Sequence, residues 1–164
     1  AQTQLFGGNP LGDAAAENDV AEVRSRIVRG DDVDRDDREG RTALMAATIA
    51  GAIQPLRLLL DAGADVDRAD RIGNGALHYA VLHDRYAAAE ALLAAEADVD
   101  AINGEGQTPL GYAAKAGNLL LGQLLLDYGA DIDHVDYTGR SVLEWARDGR
   151  SRQLVRLLEA AGAR

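Results

Sequence analysis

Aspartates at fixed spacing are the residues of this chain whose type and pattern could do chemistry. Four Asp-x-Asp pairs recur, Asp32/Asp34, Asp65/Asp67, Asp98/Asp100 and Asp131/Asp133, with Asp36, Asp37, Asp70 and Asp136 close by. Such oxygen donors suit a hard cation, so a calcium-type cation-binding or cation-stabilised acidic repeat module is one reading. Against it, no segment has the spacing of a twelve-residue calcium loop closed by a bidentate glutamate. Short acidic motifs are weak evidence by themselves, and solvated structural loops are the stronger reading. No metal site and no cofactor is assigned.

The remaining reactive side chains form no catalytic set. Cysteine is absent, which removes disulfides, thiolate metal sites and a cysteine nucleophile. Serine, histidine and aspartate occur, but no G-x-S-x-G elbow and no G-x-x-x-x-G-K phosphate loop is present. The chain therefore reads as a non-enzyme. Trp145 is expected to pack against the final helices, although a lone tryptophan near a rim can also anchor a partner.

The aspartates recur because the whole chain recurs. A shift of 33 residues stacks Leu11, Leu44, Leu77, Leu110 and Leu143 in one column, and Asp34, Asp67, Asp100 and Asp133 in another. Val33, Val66, Val99 and Ile132 run beside them without insertion or deletion. At 164 residues the chain could be one ordinary domain or one short repeat array, and the fixed period selects the array. Aromatics make up only 4%, as expected when thin helices stack closely.

Charge narrows the partners. The net charge of −10 disfavours phosphate backbones and anionic membrane surfaces and favours a neutral or basic protein. No apolar run reaches the roughly 18 to 20 residues of a membrane span, so no membrane insertion is expected. The small residues at Ala1-Gln2 favour export to a periplasmic or outside compartment over the cytoplasm. A monomer is expected.

The spacing predicts an extended lead-in over residues 1–8 and a repeat domain over 9–164, with repeats at 9–35, 36–68, 69–101, 102–134 and 135–164. Pro10 suits a first helical turn, and Val20, Val23 and Ile27 mark one face of a second helix. In copy two a helix should start at Ala43 with Thr42 as cap, and another near Gln54-Pro55, ending at Gly63 with positive φ. Copy three is degenerate: Gly75-Ala76 replaces Thr-Pro, Asp84 stands at the glycine between helices, and Glu96 stands at the terminating glycine. A left-handed Glu96 costs roughly 1 kcal/mol relative to glycine, which makes this copy the expected weak link. In copy four Gly122 inside a helix implies a close neighbouring backbone or a loss of about 1 kcal/mol. Copies one and five carry polar outer faces and read as caps.

Gly106-Gln107-Thr108-Pro109-Leu110, Ala113-Ala114, Gly117, Leu124-Leu125-Leu126 and Gly129-Ala130-Asp131 together resemble the ankyrin repeat, as does the period. The resemblance implies an all-α ankyrin-repeat solenoid of five 33-residue helix-turn-helix repeats with β-hairpin loops. It further implies a protein-protein interaction module, scaffold or inhibitor, that binds on the concave side formed by hairpins and first helices. By position the contact candidates are Arg38, Glu39, Arg41 and Ile49 in copy two and Arg71, Ile72, Asn74, Leu82 and His83 in copy three. Copy four offers Glu105, Gln107 and Lys115, and copy five offers Tyr137, Thr138, Arg140 and Asp148. The resemblance gives His78 a framework role, and the aspartates at 34, 67, 100 and 133 stand where the family commonly has asparagine. They form an acidic ladder on the hairpin side, able to steer a basic partner.

Overall fold

The computed structural model describes residues 7–163, so most of the expected lead-in, and Arg164, lie outside the described residues. Ten helices are present among them, in five consecutive pairs. The chain divides into two compact units, Ala1–Ala97 and Asp98–Arg164.

The first unit contains α1 (Pro10–Ala16), α2 (Val20–Arg29), α3 (Ala43–Ala50), α4 (Ile53–Asp61), α5 (Ala76–Leu82) and α6 (Tyr86–Ala94). First helices pack on first helices, α1 on α3 and α3 on α5, and second helices do likewise, α2 on α4 and α4 on α6. Alanine makes this close approach possible: Ala15, Ala43, Ala46, Ala47 and Ala80 are fully buried, with Leu56, Leu59 and Leu92 filling the layer between. In the second unit, α7 (Pro109–Ala116) packs on α9 (Val142–Asp148), and α8 (Leu119–Asp127) on α10 (Arg152–Ala161). Leu110, Leu121, Leu125, Leu154 and Leu158 form its core.

Helix starts follow their caps. The hydroxyls of Thr42, Thr108 and Ser141 accept the backbone N–H of Met45, Gly111 and Glu144, satisfying a donor that would otherwise be orphaned. Gly75 has no such hydroxyl; here the side chain at the third helical position reaches back instead, His78 Nδ1 accepting the Gly75 N–H at 3.1 Å. His78 is thus a buried framework residue, as the resemblance implies.

The turn inside each helix pair needs one left-handed residue. Asn18, Gly51, Asp84, Gly117 and Arg150 fill that column with φ of 57, 71, 53, 66 and 58°. Glu96, with φ of 64°, is strained in the way its position predicts. Gly122 has a different cause from those expected: a Cβ there would lie 2.7 Å from a methyl of Leu154 on α10, so a neighbouring side chain, not a backbone, fills the space.

No strand occurs among the described residues. Each of three loops between pairs is closed by a single antiparallel bridge: Asp36 with Thr42, Ala69 with Gly75, and Val135 with Ser141.

Candidate functional site: the hairpin loops and first helices

Every hairpin loop is built around one buried or half-buried Asp or Asn. Asp37 Oδ1 accepts the backbone N–H of Glu39 and Arg41, at 2.8 and 2.9 Å. The same oxygen of Asp70 accepts from Ile72 and Asn74, that of Asn103 from Glu105 and Gln107, and that of Asp136 from Thr138 and Arg140. One oxygen therefore holds the loop tip through its backbone.

The other polar atom of each residue reaches the first helix. Tyr79 donates its hydroxyl to Asp70 Oδ2, Asn103 Nδ2 donates to Tyr112 Oη at 2.8 Å, and Trp145 Nε1 donates to Asp136 Oδ2 at 2.8 Å. In these three copies the partner is nine residues on. Copy two has Ala46 in that column, and there Asp37 Oδ2 instead takes Arg41 Nε and Nη2, both at 2.9 Å. In the second unit Gln107 Nε2 also donates to Asp136 Oδ2, so one carboxylate ties two loops together.

These contacts set the electrostatics. Burial alone would raise the Asp136 pKa, but donors from Thr138, Arg140 and Trp145 outweigh it and hold the group at about 2. Asp37 is likewise opposed by burial and still lowered, by the backbone N–H and guanidinium of Arg41 and the N–H of Glu39. Burial and the hydrogen bond to Asp70 push the Tyr79 phenol up to about 12, so it stays a donor.

The contact candidates fall into two groups. In the first unit Arg38 and Glu39 are exposed at one loop tip, Arg71 and Ile72 at the next, and the tips touch: Arg71 N–H donates to the Glu39 carbonyl at 3.1 Å. Ile72 is 63% exposed. Leu82 and His83 are exposed at the end of α5, with the His83 ring 6.2 Å from that of Tyr79. Ile49 is half-buried, and its carbonyl accepts from Arg85 Nε at 3.1 Å. Arg41 is committed to Asp37, and Asn74, 3% exposed, lies inside the loop.

In the second unit the Tyr137 N–H donates to the Glu105 carbonyl at 3.2 Å, and Tyr137 is 71% exposed. Its ring lies over Gly106, where any Cβ would collide with it. Thr138 donates its hydroxyl to Asp136 Oδ1 at 2.6 Å. Gln107 is buried, 5% exposed. Trp145 stands on the first helix of its pair, and its side-chain donor is satisfied by the loop carboxylate. Its ring sits between the guanidinium of Arg140, 3.7 Å from the centroid, and the ammonium of Lys115, 4.8 Å away. Arg140 also pairs with Asp148.

The Asp-x-Asp ladder is engaged with backbone. Asp32, Asp65, Asp98 and Asp131 each accept the N–H of the aspartate two residues on. Asp34 accepts from Asp65 N–H and Asp100 from Asp131 N–H, both at 2.8 Å, joining successive copies within each unit. Among the described residues no group of three or more His, Asp or Glu is arranged to hold a metal ion.

A family profile described as Ankyrin repeats (3 copies) matches residues 11–103 and 92–164. The chain belongs to the ankyrin repeat family. Ankyrin repeats are in general protein-protein interaction modules, typically without enzymatic activity, and the all-α repeat architecture agrees with that membership. No curated protein matches this ankyrin repeat chain. No helix among the described residues is long and apolar enough to cross a membrane.

The residues that sequence reasoning missed as site-builders are Asp37, Asp70, Asn103 and Asp136 with Tyr79, Tyr112 and Trp145. Their signal was an Asp or Asn followed nine residues later by Tyr or Trp, repeated in three copies.

Proposed function

We propose that this chain binds a partner protein, as scaffold or inhibitor, through the loop tips and first-helix ends of its units. The observation that supports this most is the exposure of Ile72 and Tyr137 on tips whose backbone is already fixed by Asp70 and Asp136. A pre-ordered exposed apolar residue loses little entropy when a partner covers it. The two touching tips of the first unit also carry Arg38, Glu39 and Arg71, and the Tyr137 loop also carries Thr138 and Arg140, whose guanidinium lies over Trp145. At longer range the net charge of −10 speeds encounter with a basic protein.

The test begins with affinity capture from the source cell and identification of the bound protein by mass spectrometry. Titration of that protein against Ile72→Ser and Tyr137→Ser should then show at least about tenfold weaker binding, the scale of a lost apolar anchor. Arg57→Glu and Gln123→Lys, on the second helices, should leave it unchanged. The opposite pattern would sink the assignment.

A further inference from the structure

The last helix pair carries an open pocket of about 620 Å³ lined by Arg147, Arg150, Arg152, Val155, Arg156 and Glu159 with Ser151. Only Arg147 is neutralised there, through Glu159 at 3.2 Å. Among the described residues Arg150, Arg152 and Arg156 make no ion pair, in a chain with 27 acidic against 17 basic side chains. Arg24, Arg29, Arg35, Arg38, Arg57, Arg71 and Arg85 make no ion pair either, so what sets the pocket apart is that three such guanidiniums line it together with a single glutamate.

A second observation concerns Arg150. It occupies the left-handed turn column with φ of 58°, where copies two and four have glycine and copies one and three have Asn18 and Asp84, side chains that tolerate this backbone. Arginine gains nothing locally from the conformation. Gly149 before it approaches the carbonyls of Ala114 and Lys115 so closely that a Cβ there would collide with them, and the Arg150 side chain lines the pocket. Strained backbone positions of this kind cluster at functional sites.

We propose that this pocket binds an acidic peptide segment of a protein partner, at a surface separate from the loop tips. Arg152 and Arg156 stand one turn apart on α10, with Val155 between their stems. Planar guanidiniums accept carboxylates in paired hydrogen bonds, and the aliphatic stems with Val155 supply an apolar floor. That mixture fits carboxylates alternating with aliphatic residues better than a bare inorganic anion. The overall negative charge does not prevent binding, because beyond about 10 Å it is screened at 0.1 M salt while the pocket's own charges act at contact. The inference rests on the chain being a protein-binding module, but not on where the loop-tip partner sits.

The experiment uses the whole chain and a fluorescein-labelled peptide of alternating Glu and Leu, followed by anisotropy. A peptide with Gln for Glu and inorganic phosphate are the controls. Binding of the acidic peptide that weakens at least about tenfold in Arg152→Gln/Arg156→Gln, with unchanged circular dichroism, is expected, each lost charged hydrogen-bond pair accounting for about that factor. Arg150→Gly removes backbone strain, so it should melt higher than the parent and still bind more weakly, a combination that loss of folding cannot produce. Arg38→Gln/Arg71→Gln should bind the peptide as the parent does, so failure of the loop-tip reading is seen separately. Absence of binding at 1 mM, equal binding of the Gln peptide, displacement by equimolar phosphate, or indifference to the pocket substitutions would overturn the proposal.

Discussion

Asp136 and Trp145, nine residues apart, are joined by an indole N–H donated to a carboxylate oxygen at 2.8 Å, and that bond fixes both the last loop and the ring that lines it. An indole can only donate. With Asp136 Oδ1 taken by the loop amides, the second polar atom must also be an acceptor, whereas in the preceding copy Asn103 Nδ2 donates to the hydroxyl of Tyr112. Asp136→Asn should accordingly cost about 2 kcal/mol, the scale of leaving a buried polar pair mismatched. Adding Trp145→Tyr rebuilds the pairing of copy four and should recover about 1 kcal/mol of that loss. A urea-melt double-mutant cycle measures the coupling, and strictly additive effects would contradict the pairing.

Acid should weaken the protein through the same group. Asp136 is held at about 2 in the fold, below the ordinary carboxylate value near 3.9. A depressed folded pKa contributes stability that is complete above the unfolded value and disappears as pH falls through the folded one. Asp37, also lowered, acts with the same sign. Melting temperature should therefore drop between about pH 4 and pH 2, and the drop should be shallower in Asp136→Asn.

Gly106 and Gly63 separate two reasons for keeping glycine. Both have positive φ, 72 and 86°, but only Gly106 has a ring, that of Tyr137, against its missing side chain, while Gly63 faces open space. Gly63→Ala should cost about 1 kcal/mol from backbone alone, and Gly106→Ala about 2 to 3 kcal/mol. Adding Tyr137→Ala should reduce the second value to the first.

Glu96→Gly should stabilise the protein by about 0.5–1 kcal/mol, read as a higher melting temperature, because the residue holds φ of 64° without a side-chain type suited to it. Asp84→Gly should change stability less, since aspartate tolerates the left-handed region.

Calcium should have no specific effect. The ladder carboxylates hold backbone N–H groups through Oδ1, and among the described residues no three of them converge on a point where a cation could sit. At millimolar calcium, with a chelator control, the melting temperature should stay within about 1 °C; a saturable rise would restore the cation reading.

The helices were legible because the 33-residue register puts a cap, a leucine and a turn residue at the offsets where backbone geometry requires them, as Thr42, Leu44 and Gly51 do in copy two. The strained positions Asp84 and Glu96 were legible for the same reason: a non-glycine in a glycine column inherits its dihedral angles. The inside of the loops was not. Asn74 and Gln107 are polar loop residues, and their burial follows only from the three-dimensional path that Asp70, Asn103 and Asp136 impose. The tie from Trp145 to Asp136 was not legible either, because one N–H and one acceptor nine residues apart leave no mark in the leucine pattern.

Because the Asp or Asn at the base of each loop grips backbone amides, the side chains of Arg38, Glu39, Arg71, Ile72, Glu105 and Tyr137 contribute no hydrogen bond that shapes their own tips. Heritable change at those six positions can therefore retarget recognition while the loop they stand on is inherited intact.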